Sequence, residues 1–406
     1  MIKYFIGVLA LLALGLDGWI YRHLKSRFRN TPWIHKLYLG QAIALDVVIV
    51  LALIFYRQAI NTPDSPYGLL ILWVICLFFL SILPKLIYML CASVGYLMNR
   101  LRGRKSHGLS IVGVIAAGCV LGCMLWGATE GRSRIRVTEI EISSDKLPVA
   151  FDGYRIAQIS DIHLGNYSRR NTLIERVVHQ INALHPDLIV SSGDLVNLSA
   201  RELTPHYQKI LAGLTAPDGV VSVLGNHDLG FYMREDSTFT PQESVRLLIE
   251  KQQAMGWRLL QNETIYILRG TDSLSVSGVK YPRDGHHNGR DSGLGGCDLK
   301  ATYQNVPDSL FNLMISHTPQ NWDDIRTQTP ADLTLAGHVH AMQMKWPYGQ
   351  RGWSPARWMY DRWSGLYEKE GKYLYVNDGI GYVMYPMRIG TRPEITLITL
   401  RSTSSR

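Results

Sequence analysis

Four long apolar runs occupy the first 130 residues, roughly Ile2–Ile20, Leu37–Tyr56, Tyr67–Leu90 and Leu109–Ala128. Each is near the ~20 residues that cross a bilayer as a helix. Three more runs follow the first, and it has no obvious small-residue cleavage site, so it reads as a retained helix and not as a cleaved signal peptide. The pattern then changes. Arg134 to Ile142 alternates apolar and polar positions, as a half-buried strand does. From Arg155 onward short apolar runs alternate with segments of helical spacing, the pattern of an α/β domain.

Within this second part the predicted strands are Ile156–Ser160, Leu188–Ser191, Gly219–Leu224, Leu310–Ser316, Leu333–Ala336, Leu374–Val376 and Ile395–Leu400. Ile265–Leu268 and Leu274–Val279 pair across a Gly-Thr-Asp turn. Leu173, Ile174, Val177, Val178, Ile181 and Leu184 recur at helical spacing, and a polar helix is expected near Glu202–Gly213. Thr240-Pro241-Gln242-Glu243 has the capping residue, first-turn proline and glutamate that open a helix, expected to run to about Met255. Tyr281 to Cys297, rich in Gly, Asp, Arg and His, reads as a long loop. The expected domains are therefore 1–130, a four-helix transmembrane anchor, and 131–406, the α/β part.

Charge divides along the same line. Residues 1–150 hold 16 Lys+Arg against 7 Asp+Glu, whereas residues 151–406 hold 26 of each. The basic excess thus belongs to the membrane part, where it reports topology and lipid headgroups; no nucleic-acid partner is expected. Arg22, Lys25, Arg27, Arg29 and Lys36 follow the first span, and Arg100, Arg102, Arg104 and Lys105 follow the third. Basic loops stay cytoplasmic, so everything after Ala128 is placed outside; Arg132, Arg134 and Arg136 pull the other way. Of five cysteines only Cys297 lies in the α/β part, which rules out a thiolate zinc site or a disulfide framework there. Asp17 and Asp46 lie within apolar spans, where a carboxylate marks either helix packing or a transport pathway.

Chemistry collects where the strands run out. Asp161-Ile162-His163, Gly193-Asp194, Gly225-Asn226-His227-Asp228, His317 and Gly337-His338-Val339-His340 each follow an apolar run. Side chains at strand carboxyl ends face the crevice where α/β proteins bind ligands. The candidate metal ligands are Asp161, His163, Asp194, Asn226, His317, His338 and His340. Four imidazoles, two carboxylates and an amide suit Mn²⁺, Fe or Zn²⁺ better than Mg²⁺, with Mn favoured. Seven ligands exceed what one such ion takes, so two divalent ions sharing a carboxylate are expected. Such a pair activates water and clamps a phosphoryl group. His227, its ring oriented by Asp228, is the candidate to protonate the departing alkoxide. In an extended Asp-Ile-His segment both ligands share one side. If His338-Val339-His340 forms a loop instead, its rings can serve different ions.

These five motifs, in this order over roughly residues 154–342, resemble the calcineurin-like metallophosphoesterase superfamily. The resemblance implies a four-layer αββα sandwich behind the all-α membrane domain of four helices. It also implies Asp194 as bridge, one ion held with Asp161, His163 and His340, and the other with Asn226, His317 and His338. Tyr375-Val376-Asn377-Asp378-Gly379-Ile380-Gly381, Pro386-Met387-Arg388-Ile389-Gly390 and Pro393-Glu394-Ile395 are similar to the membrane-associated branch. That branch includes exported bacterial phosphodiesterases, transmembrane proteins with a metallophosphoesterase domain, and enzymes cleaving UDP-2,3-diacylglucosamine. One motif departs: where the branch has Gly-His-Thr-His-Gly-Gly-Gln, Val339 stands for the Thr and Ala341-Met342 for the two glycines.

The function expected is that of a membrane-anchored hydrolase acting on a phosphodiester or pyrophosphate, lipid-linked or small, with the phospholipid bilayer as its partner. UDP-2,3-diacylglucosamine conflicts with an outward-facing catalytic domain, because nucleotide-linked lipid precursors are made on the cytoplasmic side. The alternatives are a transporter or sensor with a regulatory metal domain, and a nuclease, which the neutral α/β part disfavours. Candidate substrate contacts are His286 and His287 in the long loop, and Arg388, which could instead pair with Glu394 or Asp378. Trp346, Trp353, Trp358, Tyr360 and Trp363 form an aromatic group suited to headgroup depth or to packing beneath a lid.

Overall fold

The four apolar runs fold as helices α1 (Ile2–Arg27), α2 (Pro32–Ile60), α3 (Pro66–Arg102) and α4 (Gly108–Trp126) in a computed structural model. It describes residues 2–60, 66–103, 106–168, 171–233, 239–282, 296–347 and 352–403. Among the described residues, three helical stretches are long and apolar enough to cross a membrane: Pro32–Leu51, Leu69–Arg102 and Gly108–Gly131. The chain forms two compact units, one of Met1–Thr129 with Met384–Pro386 and one of Glu130–Val383 with Met387–Arg406.

In the helical unit the intramembrane carboxylate has a structural task. Asp17 of α1 is buried, pairs with Lys85 of α3 at 2.7 Å and accepts from the Tyr38 hydroxyl of α2. A lone charge there would be costly, and this brace joins three helices through it. At the other end of α1, Arg27 meets His107, which immediately precedes α4, so the two basic connections lie at one end of the bundle.

The second unit is built on two six-stranded sheets. The first has the order β1 (Arg136–Ser144), β12 (Glu394–Ser402), β2 (Arg155–Ile159), β3 (Leu188–Ser191), β4 (Val220–Ser222), β5 (Trp257–Leu259). The second runs β10 (Gly365–Lys369), β11 (Lys372–Val376), β9 (Leu333–Ala336), β8 (Asn312–Ile315), β7 (Asp272–Gly278), β6 (Glu263–Arg269). Parallel pairing joins β2, β3, β4 and β5 in one sheet and β7, β8, β9 and β11 in the other. The carboxyl ends of these strands therefore face the same way within each sheet.

Side-chain alternation makes the layers. Leu333, Leu335 and Tyr375 point inward with Ile156, Val190, Val221, Val276, Leu313 and Ile315 into one core shared by both sheets. On the outer face of the second sheet, Ala336, Leu374 and Val376 pack on Trp322, which opens α9 (Trp322–Gln328). The short α8 (Leu299–Thr302) flanks β6. On the first sheet α7 (Pro241–Ala254) lies against β5, and α5 (Leu173–Ala183) buries Leu173, Ile174, Val177, Val178 and Ile181. The result is helix, sheet, sheet, helix.

Sequence expectations and structure differ at a few ends. The capping box at Thr240 and Glu243 forms. The polar helix shrinks to α6 (Pro205–Leu211), because Thr204 caps it by accepting from the Tyr207 amide. Strand β4 stops at Ser222, two residues short of Leu224. The sequence pattern does not announce β5, α8, α9 or β10; each is short or carries polar residues through its middle. Most of the long loop, 283–295 with His286 and His287, lies outside the described residues.

Candidate metal centre

Five strands deliver the candidate ligands. β2 ends just before Asp161 and His163, β3 before Asp194, β4 before Asn226 and His227, β8 before His317, and β9 before His338 and His340. Asp161, His163, Asp194, His338 and His340 all have left-handed backbone, with φ of 53°, 51°, 56°, 74° and 52°. The Asp-Ile-His segment is thus not the extended strand expected. Each turn bends the chain back so that the side chain faces the sheet ends, a strain that functional sites commonly store.

Two glycines make room. Gly193 has φ +100°, and a Cβ there would sit 2.7 Å from the Gly225 amide nitrogen and 2.7 Å from His317 Nδ1. A Cβ on Gly225 would collide with the Asp194 carboxylate. The bridging candidate therefore occupies space that only a glycine leaves open.

The structure brings all seven candidates together in two groups. In one, His340 Nε2 lies 3.1 Å from His163 Nε2 and 3.1 Å from Asp161 Oδ1, and His163 Nε2 lies 3.8 Å from Asp194 Oδ2. In the other, His317 Nε2 lies 3.2 Å from Asp194 Oδ2 and 3.2 Å from Asn226 Oδ1, with His338 Nδ1 2.9 Å from that amide oxygen. Asp194 touches both groups. His338 and His340 separate, one to each, as a looped segment allows.

The second layer fixes which atoms face inward. His317 donates from Nδ1 to the Ser192 carbonyl at 2.7 Å, and Asn226 donates from its amide nitrogen to the Tyr232 hydroxyl at 3.1 Å. These contacts leave His317 Nε2 and Asn226 Oδ1 turned to the centre. Tyr232 also lies over the His227 ring, with centroids 4.2 Å apart. Neither Tyr232 nor Asn197, whose carbonyl meets the His227 ring, follows a pattern that singles it out in the sequence.

His227 is oriented differently from the expectation. Its Nδ1 lies 2.6 Å from the Asn197 carbonyl, an acceptor, so Nδ1 carries the proton and Nε2 is the nitrogen left for the site. Asp228 does not hold the ring. It is buried and accepts from the main-chain amides of Asp194 (2.7 Å), Val196 (3.0 Å) and Gly225 (2.9 Å), tying two ligand loops together. Arg388 also departs from its expected role. It is 0% exposed and donates to the carbonyls of Asp378, Gly379 and Gly381, with its guanidinium 3.3 Å from His340 Nδ1. It braces the His340 side of the site through these carbonyls. Asp378 and Glu394 pair instead with Arg136.

Electrostatics fit cations. Burial pushes Asp161 and Asp194 up, but the charge of His340 on the first and of His317 and His227 on the second hold both below the usual carboxylate range. Burial, then the charge of His317, takes His338 down to about 3, so its ring is neutral, the form that binds metal. His317 is pushed up to about 9, burial being outweighed by Asp194: the paired carboxylates draw positive charge into the cage. One buried nitrogen of His163, Nδ1, has no hydrogen-bond partner among the described residues, while its other faces His340, Asp161 and Asp194. Imidazole, carboxylate and amide donors converging on two points around one shared carboxylate suit a pair of divalent ions.

Comparison with known proteins agrees with this geometry. Residues 154–342 match the calcineurin-like phosphoesterase family, and residues 2–132 match a family described as a probable calcineurin-like phosphoesterase transmembrane domain. The metallophosphoesterase YkuE of Bacillus subtilis, itself uncharacterized, is 30% identical over 316 residues, 74% of this chain and 98% of that protein. A transmembrane protein with metallophosphoesterase domain from Danio rerio is 29% identical over 337 residues, 81% of this chain and 71% of its own. The UDP-2,3-diacylglucosamine pyrophosphatase LpxG of Chlamydia muridarum is 23% identical over 337 residues, 71% of this chain and 96% of its own.

Proposed function

The chain belongs to the calcineurin-like phosphoesterases, and on that premise we propose that it is a membrane-anchored, two-metal hydrolase of a phosphodiester or pyrophosphate bond in a lipid-linked substrate. The observation that carries this reading is the convergence of two donor groups on Asp194. Asp161, His163 and His340 would hold one divalent ion, Asn226, His317 and His338 the other, with Asp194 common to both. Bound there, such ions supply Lewis acidity and an activated water, and Mn²⁺ is the favoured identity.

The chain's own groups account for the rest. His227, with Nδ1 committed to Asn197, presents only Nε2 for proton transfer to a leaving oxygen. Arg388 and Asp228 keep His340 and the 194–196 loop in place. The lipid-linked substrate is supported by the transmembrane match and by the relative named as acting on UDP-2,3-diacylglucosamine. Tethering an enzyme in the bilayer raises its encounter rate most with substrates confined there. By the distribution of basic loops, the catalytic unit is extracytoplasmic, so the reading takes from that relative the lipid-linked class of substrate and not the nucleotide-linked compound itself; alkaline-phosphatase fusions after Ala128 test the side.

The deciding experiment is hydrolysis of bis-p-nitrophenyl phosphate by the purified full chain with added Mn²⁺, beside Asp194→Asn. Manganese-dependent turnover that disappears in the variant is expected. Equal turnover in the two proteins, or none in either with diester and pyrophosphate substrates alike, overturns the reading.

A further inference from the structure

A groove of about 560 Å³ runs along the helical unit, lined by residues of all four helices and by Phe28 just past α1. Its walls are apolar, among them Ile20, Leu24, Pro84, Ile111, Val114 and Ile115. The charged residues of its lining are Arg27 and Lys85. Lys85 is neutralised by Asp17. Arg27 is not: its guanidinium meets the His107 ring, and among the described residues no carboxylate pairs with it. No acidic residue occurs anywhere in 18–45 or 66–129.

The polarity of the groove has a direction. Arg27 ends α1, and Ser110 and Ile111 open α4, so cation and polar hydroxyl share one end. Ile20, seven residues before Arg27, and Ala117, seven after Ser110, lie about 10 Å deeper at 1.5 Å per helical residue, within the ~15 Å of one leaflet of a ~30 Å hydrocarbon core. An apolar trough of that depth with a single uncompensated guanidinium at its mouth is complementary to an amphiphile with an anionic head. We propose that this groove is a binding site for one anionic phospholipid of the bilayer, its phosphate on Arg27 and an acyl chain along the Val114 wall. The planar fork of arginine suits a phosphate's paired oxygens. A zwitterionic lipid can enter the same trough, but its own ammonium cancels part of the attraction at Arg27.

The test uses the full chain reconstituted in nanodiscs of equal phosphatidylcholine and phosphatidylglycerol, then released for native mass spectrometry. The wild type should retain one phosphatidylglycerol in preference to phosphatidylcholine. Arg27→Gln should lower that retention about five- to tenfold, the order of effect of one basic residue at a lipid surface. Val114→Trp, which fills the trough without touching a charge, should lower it similarly. Retention of the two lipids in bath proportion by the wild type overturns the proposal. So does wild-type retention of phosphatidylglycerol in either variant. Arg27→Gln changes only the helix terminus, so it stays informative if the tryptophan disturbs folding.

Discussion

The ring of His227 is held by the main-chain carbonyl of Asn197, 2.6 Å from Nδ1. The neighbouring Asp228 spends its carboxylate on three amides instead. Adjacent residues thus have separable roles. His227→Ala is expected to lower turnover by roughly 10²–10⁴-fold while leaving metal content and thermal stability unchanged. Asp228→Ala leaves three buried donors unanswered and is expected to cost at least ~3 kcal/mol of stability. Thermal unfolding in detergent, with metal analysis of both variants, separates the two outcomes.

Metal binding couples to folding at a site whose five left-handed ligand residues are strained. Saturation with a divalent ion at about 100 times its dissociation constant should add ~2.7 kcal/mol per site. Chelation should therefore lower the melting temperature as well as abolish hydrolysis. Asp194→Asn should bind fewer ions than the wild type, read by elemental analysis, because both donor groups lose their shared carboxylate.

Glu202 sets a pH dependence. It is buried, and desolvation raises it from 4.5 to about 7, against the main-chain amides of Asn197, Leu198 and Gly165 that it accepts from. Between these values the folded chain keeps a proton that the unfolded chain has released. Its contribution to stability is therefore fully present below pH 4.5 and is lost as pH rises through about 7. Melting curves across that window should slope downward for the wild type. Glu202→Gln should be less stable throughout, and flat by comparison.

Glycine placement gives a contrast. Ala341 and Met342 have φ of 49° and 47°, the left-handed region that favours glycine. Met342→Gly removes a left-handed penalty of ~1 kcal/mol and should leave stability unchanged or slightly raised, with activity retained. Gly225→Ala should do the reverse, since its Cβ meets the Asp194 carboxylate. Loss of bound metal is the expected measurement.

The Asp17–Lys85 pair predicts an anchor and not a transporter. Asp17→Asn should cost ~3 kcal/mol or more by leaving Lys85 uncompensated. Pairing it with Lys85→Met should restore much of that loss. Turnover of a water-soluble diester in detergent should stay at the wild-type level in the folded double variant.

Much of this was legible along the chain because local signals and burial coincided. Leu188–Ser191 and Leu333–Ala336 are short, mainly apolar stretches buried on both faces, and they form strands over those very residues. The ligands were legible because each terminates such a run. What escaped was long-range or main-chain in origin. Trp257–Leu259 becomes a strand only by pairing with Val220–Ser222. A carbonyl such as that of Asn197 leaves no side-chain signature. In sequence Arg388 is open to phosphate or to a carboxylate partner, and only the fold sets it among the carbonyls of Asp378, Gly379 and Gly381. The aromatic group proved mixed: Trp363 is buried with Val339 and Ala341, whereas Trp358 is 74% exposed.

His338 and His340 present different nitrogens to the centre, Nδ1 in the first and Nε2 in the second. The near nitrogen of an imidazole stands about where the amide oxygen of asparagine would, and the far nitrogen where that of glutamine would. Two residues apart, the same amino acid thus has two different shortest mimics. His338→Asn and His340→Gln are the conservative exchanges, and swapping the two amides would misplace a donor by about one bond at each position.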